Sequence, residues 1–194
     1  MSAIPLVGEI VILREERAED QPFFVALRNN LETQAWNVAL PPDYTLGMYM
    51  RRFEAREFSF DRREARFTIL HRASERPAGY LSYSFMSPRM DATLGIMVAR
   101  EFWGTGVAHD ANEVMLRFLF VDVGLRVVRL WTHSGNPRAI GVAQKSGFRI
   151  SGRVREAVYK EGKLLDSVLM DILREEYFAR HPELTDTLPG IEGP

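Results

Sequence analysis

Hydrophobic residues recur in two different periods along this chain, and the period changes from one segment to the next. Short segments with consecutive or alternating apolar residues, bounded by turn residues, are typical of β-strands. The segments of this kind are residues 8–14, 66–72, 78–86, 93–98, 127–132, 148–159 and 164–173. The sequence therefore predicts a sheet of about seven strands.

A helical period of three to four residues is clearest in residues 106–123, where Val107, Ala111 and Val114 share one face. Gly124 ends this pattern, as glycine commonly does at the end of a helix. Weaker patterns of the same kind predict helices that begin after Asp20 as a cap, over residues 45–58 and over residues 137–146.

The predicted elements follow one another in two ways. The strands between residues 66 and 98 are joined by short turns, which is typical of antiparallel hairpins, whereas strands and helices alternate after residue 93. We therefore predict an α/β fold in which one mixed central sheet is flanked by helices. One domain is expected over residues 1–181, followed by a polar C-terminal tail over residues 182–194 that contains proline and glycine.

Composition narrows the classes of partner. The formal net charge of −1 gives no electrostatic footprint for nucleic acid, so no nucleic-acid partner is expected. Charged side chains interrupt the longest apolar stretch and the first residues lack a secretion pattern, which predicts no membrane partner and a cytoplasmic location. The chain has no cysteine, and its histidines lack metal-ligand spacing, so no metal is expected.

The most specific local pattern is the turn Trp103-Gly104-Thr105-Gly106, which follows an apolar strand and opens into the long helix. Glycine lets the backbone approach a ligand closely, and the N–H groups at a helix start attract an anion. The pattern is compatible with a pyrophosphate site and also with a purely structural turn. It lacks the third glycine of dinucleotide-binding turns and the lysine of the phosphate-binding P-loop.

A second pattern follows further along the chain. Asn136 directly precedes Pro137, which suits a helix N-cap and its first residue. The sequence Lys145-Ser146-Gly147-Phe148 then ends this short helix before the next strand.

The two patterns, in this order, resemble the GNAT superfamily of N-acetyltransferases. That superfamily has a Gln/Arg-x-x-Gly-x-Gly/Ala turn after its fourth strand, then Asn-x-x-Ala/Ser and a Gly-Phe pair. The segment Arg100-Glu101-Phe102-Trp103-Gly104-Thr105-Gly106 is similar to the turn of the ribosomal-protein alanine acetyltransferase (RimJ/RimL)-like branch. The resemblance extends over residues 9–177, and Glu101 departs from the usual Gln or Arg.

The resemblance implies the acyl-coenzyme A N-acyltransferase (GNAT) fold and acetyl-coenzyme A as co-substrate. The thioester is expected near Ile96, Met97 and Val98, where a backbone N–H can stabilise the oxyanion of a tetrahedral intermediate. The other residues expected to contact the coenzyme are Phe102, Trp103, Gly104, Thr105, Gly106, Val107, Ala108, Asn136, Arg138, Ala139 and Lys145, with Arg100 as a further cation near the phosphates.

The usual proton donors of the superfamily are absent. The tyrosine that commonly lies four residues before the glycine of Gly-Phe is Ala143 here, and the serine of the ribosomal-protein branch is Ala139. The nearest hydroxyls in the sequence are Ser134 and Tyr159, which become the candidate donors to the leaving thiolate. The candidates for the base that deprotonates the amine are Glu156, Asp91, His71 and Asp166.

Three functions are compatible with the sequence. The first is acetyl transfer to a protein or peptide N-terminal α-amine, as in the branch resembled. The second is the same reaction on a small amine such as a polyamine, an aminoglycoside or an amino acid, and the third is non-catalytic acetyl-coenzyme A binding. Trp36 and the neighbouring Pro41-Pro42 wall the acceptor pocket or cover the first helix, and Tyr80 and Tyr83 contact substrate or pack internally. Monomer and homodimer both stay open.

Overall fold

A computed structural model describes residues 5–34, 44–57, 63–87 and 90–184. Within these ranges eight strands form one mixed sheet in the order β1-β2-β3-β4-β5-β6-β8-β7. The strands are β1 (Leu6–Val7), β2 (Val11–Glu15), β3 (Glu64–His71), β4 (Arg76–Ser87), β5 (Asp91–Val98), β6 (Val127–His133), β7 (Arg149–Lys160) and β8 (Lys163–Leu173). The predicted mixed sheet is confirmed, and the short β1 is the strand that the pattern missed.

The helices flank this sheet as predicted. They are α1 (Gln21–Asn29), α2 (Leu31–Gln34), α3 (Leu46–Glu57), α4 (Val107–Arg117), α5 (Pro137–Lys145) and α6 (Arg174–Arg180). Strands β1 to β5 pair antiparallel in chain order, and β5 pairs with β6 in parallel. A parallel pair needs a crossover, and α4 provides it.

Helix α4 lies in the core. Val107, Ala111, Met115 and Leu116 are completely buried, which confirms the predicted apolar face. The helical pattern expected over residues 106–123 divides in two, because the last turn, Phe118–Asp122, is π-helical and Val123 N–H donates to the Phe118 carbonyl.

The first predicted strand begins later than its pattern suggests. The carboxylate of Asp110 on α4 accepts hydrogen bonds from the backbone N–H groups of Ile10 at 2.8 Å and Val11 at 2.9 Å. Asp110 of α4 therefore binds the N–H groups at the start of β2, which begins at Val11. A side chain at Gly8 would place its Cβ 2.4 Å from Asp110 Oδ2, so the chain passes too close to α4 for any larger residue.

Asp20 precedes α1 as predicted, but its side chain does not cap that helix. Its carboxylate accepts two hydrogen bonds from Arg14, one from the Thr68 hydroxyl and one from the Arg17 N–H. It thereby connects the start of α1 to β2 and β3. An ion pair between Asp20 and Arg14 replaces the local cap, because β2 places the Arg14 guanidinium beside the Asp20 carboxylate.

Several expectations fall on parts of the chain outside the described ranges. They concern Trp36, Pro41 and Pro42 in the loop, Phe58 at the end of the second predicted helix, and most of the tail beyond Leu184. Helix α6, in contrast, is described and was not predicted from periodicity.

Candidate active site

The site begins where two neighbouring strands separate. Strands β5 and β6 pair in parallel from Asp91 opposite Val127 to Leu94 opposite Leu130, and the pairing ends there. Beyond this point, both strands line a cavity of about 590 Å³. The parting of the strands therefore opens a passage through the sheet.

The separation leaves backbone groups of β5 directed into this passage. Ala99 N–H donates to the Ala78 carbonyl at 2.8 Å, on the side of β4. Neighbouring N–H groups alternate in direction along a strand, so those of Ile96 and Val98 point away from β4 and towards the passage. These two N–H groups belong to the segment for which the sequence analysis expects a backbone N–H to stabilise an oxyanion.

The glycine turn lies directly after β5. Gly104 and Gly106 have φ angles of +78° and +91°, which L-residues rarely adopt. A Cβ atom on Gly104 would meet nothing within 4 Å, whereas one on Gly106 would lie 2.8 Å from Ile10 Cδ1. Gly104 therefore faces open space, and the first N–H groups of α4, beginning at Val107, have no partner within the helix.

Trp103 holds this turn against the end of β5. Its indole N–H donates to the Val98 carbonyl at 2.8 Å, and its ring lies 3.9 Å from the Arg138 guanidinium carbon. Trp103 and Arg138 both line the cavity. The stacking places Arg138 of α5 beside the glycine turn.

Asn136 is the N-cap of α5, as predicted, and its side-chain oxygen accepts a hydrogen bond from Ala139 N–H at 3.1 Å. The cavity wall includes Asn136, Ala139 and Ala143. The two alanines that replace the family's hydroxyls therefore line the cavity, and neither carries a proton-transfer group.

The remaining predicted coenzyme contacts divide between two surfaces. Ile96, Met97, Val98 and Ala108 line the cavity itself. Gly106 and Lys145 line a second groove on the other side of the turn. The buried side chains of Phe102 and Val107 support the turn, and the Thr105 hydroxyl donates to the Phe102 carbonyl at 2.7 Å.

Arg100, expected near the phosphates, forms an ion pair with Glu32 on α2. That contact fixes its guanidinium against another element of the fold. Arg138 is therefore the predicted cation whose position in the cavity is clearest.

The candidate proton donors lie outside the cavity. Tyr159 is 75% exposed on β7, and Ser134 Oγ accepts a hydrogen bond from Asp166 N–H at 3.1 Å. Glu156, the first candidate base, has a φ of +51° at a register shift in β7. None of these three residues is part of the cavity wall as described.

The other candidate bases have structural contacts. Asp91 forms an ion pair with Arg129, His71 contacts Ser74 at 2.9 Å, and Asp166 accepts a hydrogen bond from Glu156 N–H. They too are missing from the described cavity wall. Within the described ranges, no group of histidine and carboxylate side chains has the arrangement of a metal site.

The structure brings to the cavity two further polar side chains that the sequence analysis did not name. Asn112 on α4 is 3% exposed and lines the cavity together with residues of α5. His133, at the end of β6, is buried and lines it where the strands separate. Asn112 lies three and four residues before the completely buried Met115 and Leu116, so the helical period itself places this polar side chain on the buried side of α4.

The far end of the cavity is formed by α1, α3, β3 and β4. Tyr80 lines it, as one of the two alternatives predicted for that residue, and its hydroxyl accepts a hydrogen bond from Arg28 at 3.4 Å. Tyr83 instead packs against Phe67, Phe85 and Phe118.

This arrangement matches a known family. The model of the acetyltransferase (GNAT) domain matches residues 11–149, which include the separated strands, the glycine turn and α5. The chain belongs to this GNAT acetyltransferase family. Members of the GNAT family use acetyl-coenzyme A as co-substrate.

Two relatives from Bacillus subtilis share less than a third of their aligned residues with this chain. The chain is 27% identical over 100 residues to the prophage-derived N-acetyltransferase YokL, covering 50% of this chain and 56% of YokL. It is 28% identical over 86 residues to YdaF, named as a candidate ribosomal N-acetyltransferase, covering 44% and 47%. The matches thus span about half the length of each relative.

Among solved structures, spermidine N-acetyltransferase from Vibrio cholerae, in complex with coenzyme A and spermine, has a similar fold. The TM-score is 0.79 at 22% identity, and the alignment covers 88% of this chain and 99% of that chain. This likeness confirms the GNAT fold. None of the described helices has the length and apolar character needed to cross a membrane.

Proposed function

We propose that this protein is an N-acetyltransferase that transfers the acetyl group of acetyl-coenzyme A to a primary amine by direct attack. One observation carries the proposal. A single cavity runs between the separated ends of β5 and β6, with the glycine turn and α5 on one side and the tyrosines and arginines of α1, α3 and β4 on the other. A co-substrate and an acceptor can therefore meet from opposite faces of the sheet.

On the coenzyme side, the turn at Gly104 and the first amides of α4 are proposed to hold the pyrophosphate. Arg138, fixed by Trp103, adds a positive charge beside them. The buried amide of Asn112 lines the same side and can form hydrogen bonds with the amide groups of the pantetheine arm. The N–H groups of Ile96 and Val98 then face the thioester carbonyl.

Proton transfer must use other residues, because Ala143 and Ala139 stand where the family usually has a tyrosine and a serine. His133 and Tyr80 both line the cavity, and both are buried. An imidazole nitrogen and a phenol hydroxyl can each donate or accept a proton. We therefore assign the two proton transfers, from the incoming amine and to the leaving thiolate, to His133 and Tyr80 together. Ser134, Tyr159 and Glu156 stay predictions from the sequence, without access to the cavity as described.

The acceptor is proposed to be the α-amine of a protein or peptide N-terminus, in keeping with the resemblance to the ribosomal-protein branch and the match to YdaF. A small amine is the second candidate. It is supported by the convergence of α1, α3 and β4 around the acceptor end of the cavity.

Release of free thiol from acetyl-coenzyme A tests the proposal. Purified protein is incubated with acetyl-coenzyme A and a panel of N-terminal peptides, polyamines, aminoglycosides and amino acids. Acceptor-dependent thiol release, with an acetylated amine identified by mass spectrometry, is the expected result. Tight coenzyme binding without thiol release across the panel would instead support the third function, a non-catalytic acetyl-coenzyme A-binding protein.

A further inference from the structure

The acceptor end of the cavity is rich in positive charge. Three arginines line it, which we name the arginine cluster: Arg28 from α1, Arg52 from α3 and Arg66 from β3. The same wall, as far as the structure describes it, contains no aspartate or glutamate. The other polar side chains at this end are neutral: Thr33, Tyr44, Tyr49, Tyr80 and Ser82.

Arg66 is the most buried member of the cluster. Its guanidinium carbon lies 4.8 Å from the ring centre of Tyr80 and 5.9 Å from that of Tyr49. Burial lowers the pKa of Arg66, and nearby Glu16 opposes that effect. The guanidinium is thus a desolvated cation, an environment in which an added anion is more strongly attracted than in water.

Glu16 compensates only part of this charge. Its carboxylate forms an ion pair with Arg56 and lies 3.9 Å from Nη1 of Arg66. One carboxylate is therefore shared by two arginines. The Nε and Nη1 atoms of Arg66 are buried and form no hydrogen bond with the residues that the structure describes.

Arg28 and Arg52 bring the charge to the cavity wall from two helices. Arg28 donates to the Tyr44 hydroxyl at 2.7 Å and to the Tyr80 hydroxyl, so its guanidinium is held in place by phenols. Arg52 is exposed on α3 and lines the cavity. The cluster thus surrounds the acceptor end from α1, α3 and β3.

We propose that the acceptor carries a carboxylate close to its reacting amine and that the arginine cluster binds this carboxylate. The inference rests on the proposed acetyl transfer and specifies its substrate class. The carboxylate comes either from an acidic side chain at the start of a peptide or from a free amino acid. Arginine suits this task because its planar group donates paired hydrogen bonds to a carboxylate.

The same charges oppose a polyamine. A polyamine bears several ammonium groups, and the arginine cluster would place guanidinium groups beside them in a partly desolvated cavity. The fold is shared with a spermidine N-acetyltransferase, but the described acceptor wall has the opposite charge from the one that a polycation requires.

The test compares acceptors that differ by one charge. The first pair is Ala-Glu-Ala-Ala and Ala-Gln-Ala-Ala with amidated C-termini, the second is glycine and glycinamide, and spermidine is the cationic acceptor. The charged member of at least one pair is expected to have a kcat/KM about tenfold or more above its neutral twin. A response of the peptide pair alone identifies an acidic side chain, and a response of the glycine pair identifies a free carboxylate.

Neighbouring arginines of α3 provide a matched control. Arg52→Gln is expected to reduce the preference for the charged member at least several-fold, whereas Arg51→Gln, at an exposed position that is not part of the described cavity wall, should leave it unchanged. Arg66→Gln is a second variant, compared with the wild type by thermal unfolding because its side chain also packs against aromatic rings.

The possible outcomes separate the inference from the proposed function. Equal rates within both pairs, or faster acetylation of spermidine than of every carboxylate acceptor, would overturn the inference and leave acetyl transfer intact. If no acceptor releases thiol, the proposed function fails. Calorimetry with the coenzyme-loaded protein then tests the charge preference, which is contradicted if the charged peptide binds no more tightly than its neutral twin.

Discussion

Gly104 and Gly106, in the turn between β5 and α4, differ in the space that a larger side chain would find at each position. Both have a positive φ, so any larger residue is strained at either position. A side chain at Gly106 would also collide with Ile10, whereas one at Gly104 would point into open space. A substitution at Gly104 therefore probes the ligand site with less disturbance of the packing.

Gly104→Val is expected to weaken coenzyme A binding more than tenfold, because the new side chain fills the space proposed for the pyrophosphate. Calorimetry measures the affinity, and thermal unfolding shows whether the variant is folded. Gly141→Ala on α5 is the control, since its Cβ atom would also meet nothing within 4 Å and its φ is ordinary. Undiminished affinity in a folded Gly104→Val protein would place the coenzyme elsewhere.

The second prediction at this scale concerns proton transfer. Tyr80→Phe and His133→Asn are each expected to lower kcat by about a hundredfold, the usual effect of removing a general acid or base. The sequence alone predicts such losses for Tyr159→Phe and Ser134→Ala. Because Tyr159 and Ser134 lie outside the described cavity wall, we expect both variants to retain full turnover.

Steady-state kinetics with the best acceptor decides between the two assignments. Coenzyme affinity should change little in any of the four variants. His133→Asn should lower kcat while KM for the acceptor changes little, a split that a general loss of packing would not produce. Full activity of Tyr80→Phe combined with a large loss in Tyr159→Phe would restore the assignment made from the sequence.

At the scale of elements, Asp20 joins the start of α1 to two strands. It is 3% exposed and accepts hydrogen bonds from Arg14 on β2 and from Thr68 on β3. Burial alone would raise the pKa of this carboxyl, but the hydrogen bonds from Arg14, Thr68 and the Arg17 N–H lower it below its ordinary value. The charged form is therefore the one that stabilises the fold.

Asp20→Asn is expected to lower the free energy of unfolding by about 3 kcal/mol at pH 7, because it leaves Arg14 without its buried partner. A lowered folded-state pKa means that the contribution is complete above the unfolded-state pKa, near 3.8, and is lost as pH falls through the folded value. The difference between wild type and variant should therefore shrink below pH 4.

Urea unfolding at several pH values measures this difference. Asp122→Asn, at an exposed position after α4, is the control and should change the stability by less than about 0.5 kcal/mol. A difference between wild type and Asp20→Asn that stays constant down to pH 2 would contradict the role assigned to the ionised carboxylate.

Caps and turns that depend on consecutive residues could be predicted from the sequence, whereas contacts between residues far apart in the chain could not. The cap at Asn136 and the turn at Gly104 are local, because each is determined by a few consecutive residues. The contacts of Asp110 with the chain before β2 join residues about a hundred positions apart. No periodic pattern records such a contact, and the same limitation applies to the place of His133 in the cavity.

At the scale of the whole molecule, the separation of β5 from β6 leaves one sheet with a passage through it. The antiparallel strands lie on one side of the parallel β5–β6 pair, and the β7–β8 hairpin lies on the other. A coenzyme bound between Ile96 on β5 and Asn136 at the start of α5 would contact elements on both sides of the separation. Because a ligand that binds only the folded state stabilises it, such binding should raise the stability of the whole protein.

Acetyl-coenzyme A at a hundred times its Kd is expected to add about 2.7 kcal/mol to the free energy of unfolding. For a chain of 194 residues, this corresponds to a rise in Tm of roughly 5–10 °C. Thermal unfolding with and without the ligand measures the shift, and folded Gly104→Val provides the comparison, since it should show little or no shift at the same concentration. An equal shift in both proteins would mean that the coenzyme stabilises the fold from a site that does not include the glycine turn.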